Sequence, residues 1–496
     1  MLTPPGGVVN SWRGMKDRDH SQEACAFPGQ FVLVHPRSVA ATSGLLPDWC
    51  TYQLTSHWAL LTSPEIPVTS LLDEDGQELG RVLGPLVGSG EPTIVSTRTQ
   101  LPPTRALEQL CGGWLAIMDW GGDLIALPDP IASVPLVFDH SRRLAGSTPE
   151  LLDYVHGSPA AVAPDAFTEM DLRADYWYPF GLCPQKDVQR LLPNHLLDLV
   201  QLRPSRVQPA PPAETDSESL ALDRLEAALR KVFQDLNTPL TVPLTAGRDS
   251  RLILAAALAA GHTPRTFTLV GDVNDADQIV APRLAGAAGV AHEFHRMEGR
   301  SPVELELWFR RTGRTVGGKN LEFRRPAASM PIGALELSGA GGESMRGFYW
   351  QGQLQPSRPD PSRFVSRIGL PKTTRFVEAA DSWLQGLPDL SPDQILDLAY
   401  CELRMGCWAS PQIYGRLRPW SQFFAFGQPE VLDAMARLPI SLRASGRAAD
   451  ILVPRLAPSL KGLPFNRGPL GTKLLSKMSR LKSPRDLVRK LIQKLS

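Results

Sequence analysis

The sequence predicts an α/β protein with two domains, in which a strand-rich layered domain precedes a domain built on a parallel sheet. Three observations lead to this fold class. The chain has 496 residues, which is more than one hydrophobic core usually serves. Short β-type runs separated by Gly and Pro turns continue as far as Leu199. After a proline-rich stretch, strands alternate with helices, which is the pattern of a parallel sheet.

The first part of the chain divides where its composition changes. Residues 1–25 are polar and are expected to be disordered, and residues 26–203 are expected to form the strand-rich domain. The proline-rich residues 204–217 are typical of a semi-rigid exposed linker. The β-type runs of the first domain include residues 31–34, 58–61, 113–118, 124–127 and 134–138.

Residues 218–470 are expected to form the second domain. Helical periodicity and apolar runs predict a helix over 218–234, a strand over 240–245, a helix over 251–260, a strand over 266–270 and a helix from about 277 to 288. From residue 302 to about 461 helical periodicities dominate.

Composition and charge exclude several classes of function. The formal net charge of +1 gives no reason to expect a nucleic-acid partner. No apolar run reaches the roughly 18 residues of a transmembrane helix, and the N-terminus lacks the apolar core of a signal peptide. The six cysteines show no CxxC pair, so neither a zinc site nor a disulfide framework is expected. These features favour a cytoplasmic protein.

The most informative motif is Leu244-Thr-Ala-Gly-Arg-Asp-Ser250, at the junction of a predicted strand and a predicted helix. A small-residue turn that opens a helix leaves backbone N–H groups free to bind an anion. Gly247 permits close approach of a phosphate, Thr245 and Ser250 offer hydroxyl groups, and Asp249 is suited to a magnesium ion. A polar cap at an ordinary strand–helix turn is the alternative interpretation.

A second glycine-rich motif, Leu337-Ser-Gly-Ala-Gly-Gly-Glu-Ser-Met-Arg-Gly347, also follows an apolar run. The first motif resembles the S-G-G-x-D-S loop of the asparagine synthetase and β-lactam synthetase family, and the second is similar to that family's S-G-E-G-A-D-E-L-x-G segment. The N-terminal segments at residues 111–117 and 129–138 resemble the glutaminase-type domain of the same enzymes. The resemblance implies an ATP-pyrophosphatase domain preceded by an αββα domain of the N-terminal-nucleophile type.

The resemblance also implies a chemistry and a set of site residues. Enzymes of this family use ATP and Mg²⁺ to activate a substrate carboxylate as an acyl-adenylate, and ammonia or another amine then forms an amide. A small-molecule or peptide carboxylate is therefore the expected substrate, with Asp249 and Glu343 as metal ligands. The residues expected to contact ATP or pyrophosphate are Leu244, Thr245, Ala246, Gly247, Asp249, Ser250, Leu269, Val270, Ser338 and Gly339.

Three positions depart from the family pattern. Residue 2 is Leu2 where glutamine-dependent members have a nucleophilic cysteine, so glutaminase activity is not expected. Ala340 stands where the family has a Glu or Tyr that handles protons. The family's later lysine has no counterpart near residues 447–453, which leaves Arg447 and Lys461 as candidate catalytic cations.

Two questions stay open at the level of sequence. Within the ligase class, the product could come from an asparagine-synthetase-like reaction or from a cyclase that acts on a specialised peptide or metabolite. A nucleotide-binding or regulatory protein that has lost catalysis is the alternative class. The basic amphipathic tail at 471–496 is expected to dock on the protein itself, on a partner or on an anionic membrane surface.

Overall fold

The computed structural model describes residues 27–88, 93–96, 102–163, 176–207, 215–271, 276–297, 301–318, 321, 330–331, 333–350, 357–463 and 465. The predicted disordered segment 1–25 and the predicted tail 471–496 lie outside these residues.

Two β-sheets form the N-terminal part of the described chain, the region that the sequence predicts as the first domain. The six-stranded sheet has the order β13-β11-β12-β1-β3-β2 and is antiparallel throughout. Its strands are β1 (Phe31–Val34), β2 (Cys50–Gln53), β3 (Ala59–Thr62), β11 (Val137–Asp139), β12 (Leu144–Gly146) and β13 (Val188–Arg190).

The second sheet has seven strands in the order β15-β14-β10-β9-β5-β4-β7, and only its β4–β7 pair is parallel. Its strands are β4 (Val68–Leu72), β5 (Glu78–Leu83), β7 (Thr93–Ile94), β9 (Leu115–Trp120), β10 (Asp123–Pro128), β14 (His195–Asp198) and β15 (Arg203–Arg206). A separate two-stranded ribbon consists of β6 (Leu86–Val87) and β8 (Cys111–Gly112).

The alternation of side chains along β1 explains the layering of this domain. Phe31 and Leu33 belong to a core shared with residues of both sheets, whereas Val32 and Val34 pack on the opposite face. That opposite face is covered by α3 (Pro149–His156), through Leu151 and Leu152, and by residues around α1 (Val39–Leu45). The short helix α2 is Pro103–Ala106. The two sheets therefore pack face to face, as the layered prediction requires.

The second domain contains a five-stranded sheet in the order β18-β17-β16-β19-β20, and all four strand pairs are parallel. The strands are β16 (Leu240–Pro243), β17 (Arg265–Val270), β18 (His292–Arg296), β19 (Leu335–Leu337) and β20 (Gln422–Phe423). The helices that connect or flank the first three strands are α4 (Glu218–Gln234), α5 (Arg248–Ala259), α6 (Ala276–Ala288) and α7 (Pro302–Thr312).

Helix α5 is the centre of this domain's core. Six consecutive residues, Leu252 to Ala257, are fully buried, because small and aliphatic side chains cover every face of the helix. The remaining helices are α8 (Pro361–Arg367), α9 (Thr374–Gln385), α10 (Pro392–Ala399), α11 (Pro429–Ala436), α12 (Ile440–Ser445) and α13 (Ala448–Leu456), and a π-helix at Tyr400–Ala409 continues α10.

Most predicted elements of the second domain are confirmed with small shifts. The helix over 218–234 has the predicted bounds, and the strand over 266–270 gains Arg265. Helix α5 begins at Arg248, three residues before the predicted start, because Gly247 serves as its N-cap. The predicted boundary between residues 203 and 204 falls inside β15, which pairs with β14.

The two domains are joined by buried polar contacts around the π-helix. Glu402 has no exposed surface and accepts hydrogen bonds from both Nη atoms of Arg206 in β15. Trp383 Nε1 donates to the same carboxylate at 2.8 Å, and Asn194 Nδ2 donates at 3.2 Å. Ser410 donates to the Ile131 carbonyl at 3.0 Å. The first domain therefore supports the π-helix directly.

In the part of the chain that is described, no helix combines the length and hydropathy that crossing a membrane would require.

Replacement of Glu402 by Gln should destabilise the protein strongly. The variant leaves the Arg206 guanidinium, 15% exposed, without its charged partner, and removal of one member of a buried ion pair costs about 3–5 kcal/mol. Urea denaturation measures this as a lower unfolding midpoint.

Glu108→Gln is the matched control, because the Arg105–Glu108 pair is 48% exposed on both sides. Its loss should cost less than about 1 kcal/mol. Equal losses in the two variants would contradict a structural role for the Arg206–Glu402 pair.

Candidate functional site

The first predicted motif forms the turn between β16 and α5. The Thr245 N–H donates to Ser250 Oγ at 3.1 Å, the two side-chain hydroxyls lie 2.8 Å apart, and the Gly247 N–H donates to Thr245 Oγ1 at 3.1 Å. Gly247 is the N-cap and offers no capping side chain. The N-terminus of α5 therefore keeps the uncapped N–H groups and the positive dipole end that favour an anion.

An acidic residue from the next helix fixes this turn. Asp277, in the first turn of α6, accepts a hydrogen bond from the Ala246 N–H at 2.7 Å. Asp277 is not among the residues that the sequence predicts at the site. Ala246 is thus positioned by its backbone, and its side chain is fully buried.

The second predicted motif follows β19, the neighbour of β16 in the sheet, and lies directly against the first. A Cβ atom added at Gly342 would be 2.8 Å from Asp249 Oδ1, and one added at Gly339 would be 3.3 Å from the Ser250 backbone nitrogen. Gly341 has a φ of +96°, which glycine adopts without strain. Only a glycine-rich segment allows this approach, so the structure brings the two motifs together.

The two predicted metal ligands face one cation, and that cation is an arginine. Arg346 donates from Nη1 to Asp249 Oδ1 at 2.5 Å and from Nη2 to Asp249 Oδ2 at 2.8 Å. The same Nη2 lies 3.9 Å from Glu343 Oε1. Such two-pronged pairing with a carboxylate is the strongest geometry available to arginine. Arg346 was not among the predicted site residues, although its position three after Glu343 places the two on one face of a helical turn.

Tyr400, the first residue of the π-helix, completes the cluster. Its hydroxyl donates to Glu343 Oε2 and accepts from the Gly341 N–H at 3.1 Å. Burial raises the pKa of Glu343, and the negative charge of Asp249 raises it further. Burial lowers the pKa of Arg346, but hydrogen bonding and attraction to Asp249 outweigh this and raise it overall. Arg346 therefore stays charged.

The described side chains do not fit a magnesium ion as they stand. Both Asp249 oxygens are bonded to Arg346, and Glu343 is bonded to Tyr400. Within the described ranges no group of three or more His, Cys, Asp or Glu side chains could hold a metal ion. Mg²⁺ needs oxygen ligands at about 2.0–2.1 Å in octahedral geometry. Magnesium binding by Asp249 and Glu343 stays a prediction.

The other predicted residues lie at different distances from the loops. Leu269 and Val270 end β17, beside the first loop, where the Leu244 N–H donates to the Phe267 carbonyl at 2.7 Å. Arg447 is the N-cap of α13, and its neighbour Gly446 would place a Cβ 3.9 Å from Arg346 Cβ. Arg447 therefore lies near the second loop.

Lys461 is exposed at the end of a 3-10 helix at Pro458–Leu460, and its side chain makes no hydrogen bond or ion pair with a residue that the structure describes. The end of the described chain nevertheless reaches the first loop. Arg251 donates to the Leu463 carbonyl at 2.8 Å, and its guanidinium lies 3.9 Å from the ring centroid of Phe465.

Replacement of Gly342 by Ala should destabilise the site. The added methyl group would collide with Asp249, and overpacking of this kind costs about 1–3 kcal/mol. Gly286→Ala is the control, because that glycine is exposed on α6 with no atom within 4 Å of the added Cβ. The control should be neutral or more stable by up to about 1 kcal/mol. Urea denaturation distinguishes the two, and an unchanged midpoint for the Gly342 variant would contradict the close contact of the loops.

No family model matches this sequence. No curated protein matches it either. Among solved structures, the chain is similar to an NMN synthetase from Francisella tularensis, with 14% identity, coverage of 38% of this chain and 93% of that one, and a TM-score of 0.22. An NH3-dependent NAD synthetase from Campylobacter jejuni is 14% identical, with coverage of 38% of this chain and 96% of that one, and a TM-score of 0.19. A glutamine phosphoribosylpyrophosphate amidotransferase from B. subtilis is 9% identical, with coverage of 66% of this chain and 74% of that one, and a TM-score of 0.21. At these scores no activity transfers to this chain.

Proposed function

We propose that this chain is an ATP-dependent ligase of the asparagine-synthetase type, which activates a carboxylate as an acyl-adenylate and converts it into an amide. One observation carries the proposal. Two glycine-rich loops meet at the carboxyl ends of the adjacent parallel strands β16 and β19, with a helix N-terminus between them. Crevices at the carboxyl ends of parallel strands are where open α/β sheets bind ligands, and helix N-termini favour phosphate.

The reaction divides into two displacements. A substrate carboxylate oxygen attacks the α-phosphorus of ATP, which forms the acyl-adenylate and breaks the bond to pyrophosphate. An amine then attacks the acyl carbon, loses a proton and displaces AMP. Negative charge grows on the departing pyrophosphate, so donors fixed in advance around it lower the barrier. Gly247 with Thr245 and Ser250, and the first turn of α5, would supply those donors.

The remaining loop residues have proposed positions around the nucleotide. Leu244, Leu269 and Val270 would border the adenine, with Ser338 and Gly339 on the other side. Arg447 and Lys461 stay proposed catalytic cations, and Arg447 is the better placed because its turn lies beside the second loop.

The first domain is proposed to act as a scaffold that supplies no ammonia. Gly29, just before β1, lies against Pro419 and Trp420 of the second domain, whose atoms would be 2.8 Å from an added Cβ. The neighbouring Gln30 is fully buried and is bonded to Thr148 and to the Arg311 carbonyl. The start of β1 is thus filled by packing contacts, which supports an external amine or ammonia as the nucleophile.

A nucleotide-binding protein without catalysis is the second candidate. Ala340 lies in the second loop and has no group that could move a proton, and Asp249 is paired with Arg346. Both observations favour binding over turnover. The nature of the carboxylate, whether aspartate or the acid of a peptide or specialised metabolite, separates an asparagine-type ligase from a cyclase.

Removal of the Ser250 hydroxyl should weaken ATP binding at least tenfold. Ser250→Ala deletes the group that bonds the Thr245 N–H and hydroxyl, which loosens the turn around the phosphates. Isothermal titration calorimetry with ATP measures the dissociation constant. Ser421→Ala is the control. Among the described residues the Ser421 hydroxyl bonds only the local Arg418 carbonyl, so the affinity of this variant for ATP should not change.

Pyrophosphate release then separates the two candidates. The protein is incubated with ATP, ammonia and a panel of carboxylates, and release is expected with at least one acid and should fall in the Ser250 variant. ATP binding without release under any condition would favour the non-catalytic candidate. If ATP does not bind at all, both candidates fail.

A further inference from the structure

Arg346 carries donors that its acidic partner does not use. Arginine has five N–H groups, and two of them donate to Asp249. The other three make no hydrogen bond to a residue that the structure describes. The side chain is 31% exposed, so part of it is open to solvent.

The surroundings fix the guanidinium in place. Asp249, in the first turn of α5, holds it by two bonds, and Glu343 lies on its other side at 3.9 Å. The turn at Gly446 lies near the aliphatic part of the side chain, since a Cβ added at Gly446 would be 3.9 Å from Arg346 Cβ. The planar, positively charged guanidinium is therefore held beside the N-terminus of α5. The family resemblance places a metal ion bound by two carboxylates at this position.

We propose that Arg346 replaces the divalent cation as the counter-charge of this site, so that the chain binds the pyrophosphate group of a nucleoside triphosphate without metal. The inference rests on the proposed function and names the cation that this site uses. Asp249 then acts as the positioning residue for Arg346, and its negative charge is balanced before a ligand arrives.

Charge and geometry both favour the arginine over a metal ion. A divalent cation bound to Asp249 would lie within a few ångströms of a permanent positive charge and would compete for oxygens that already accept hydrogen bonds. Arginine also meets phosphate oxygens through two parallel donors, and it remains charged at every physiological pH. The three remaining N–H groups are enough for such contact.

Inorganic pyrophosphate is the probe for this inference. Its dissociation constant is measured by calorimetry with the full chain, once in EDTA and once in excess Mg²⁺. The wild-type values should agree within threefold. Arg346→Met should weaken binding at least tenfold in EDTA, whereas Arg105→Met, which removes an ion-paired arginine from the first domain, should leave it unchanged.

The outcomes distinguish the inference from the function on which it rests. Wild-type binding that requires Mg²⁺ would overturn the role of Arg346 and leave the proposed ligase intact. Absence of both pyrophosphate and ATP binding in either buffer would contradict the proposed function. Arg346→Lys keeps the charge and serves if the methionine variant does not fold. In EDTA the Lys variant should bind pyrophosphate more weakly than wild type, because a single ammonium cannot bond Asp249 and phosphate through a planar fork. Wild-type-like affinity of a folded Met variant would also overturn the inference.

Discussion

The ion pair between Asp249 and Arg346 is the contact on which the arrangement of the site depends. It joins residues 97 positions apart and therefore connects the loop after β16 to the loop after β19. Asp249 is 16% exposed and Arg346 31%, so water screens the pair less than it would on an open surface. The pair forms only because Gly342 lets the second loop approach the Asp249 side chain. The ion pair therefore depends both on the small size of Gly342 and on the opposite charges of Asp249 and Arg346.

The π-helix extends this dependence to the other domain. Tyr400 at its first position bonds Glu343 and the Gly341 backbone, and Glu402, two residues later, bonds Arg206 of the first domain. These two residues, two positions apart in the π-helix, therefore connect a strand of the first domain to the second glycine-rich loop. π-helical turns are uncommon and occur often at functional sites, because the extra residue per turn re-aims side chains. Here one side chain of the π-helix, Tyr400, contacts the second glycine-rich loop, and another, Glu402, contacts the first domain.

The elements near the first loop could be predicted from sequence because their signals are local. Helix α4 has a regular apolar stripe, and Gly247 follows a short apolar strand, so periodicity and turn chemistry locate both. The contact between the two loops could also be expected, since parallel strands present their carboxyl ends on one edge. Sequence did not reveal the partner of Asp249, because pairing between residues 249 and 346 is a tertiary property. The sequence also did not predict β15. Pro204 suggested a linker there, but β15 is an edge strand, and an edge strand tolerates proline.

Glu343 and Arg346, three residues apart in the second loop, have different hydrogen-bond partners. Glu343 accepts a hydrogen bond from the Tyr400 hydroxyl, and its carboxylate lies 3.9 Å from the Arg346 guanidinium. That leaves both hydrogen bonds of the guanidinium to Asp249, which would otherwise be a mostly buried carboxylate without a counter-charge. Arg346 thus places one fixed positive charge between the two loops, in a chain whose residues 447–453 include no lysine. If Arg346 is the counter-charge of this site, as proposed above, one fixed arginine would do what the family resemblance assigns to a metal ion and a lysine.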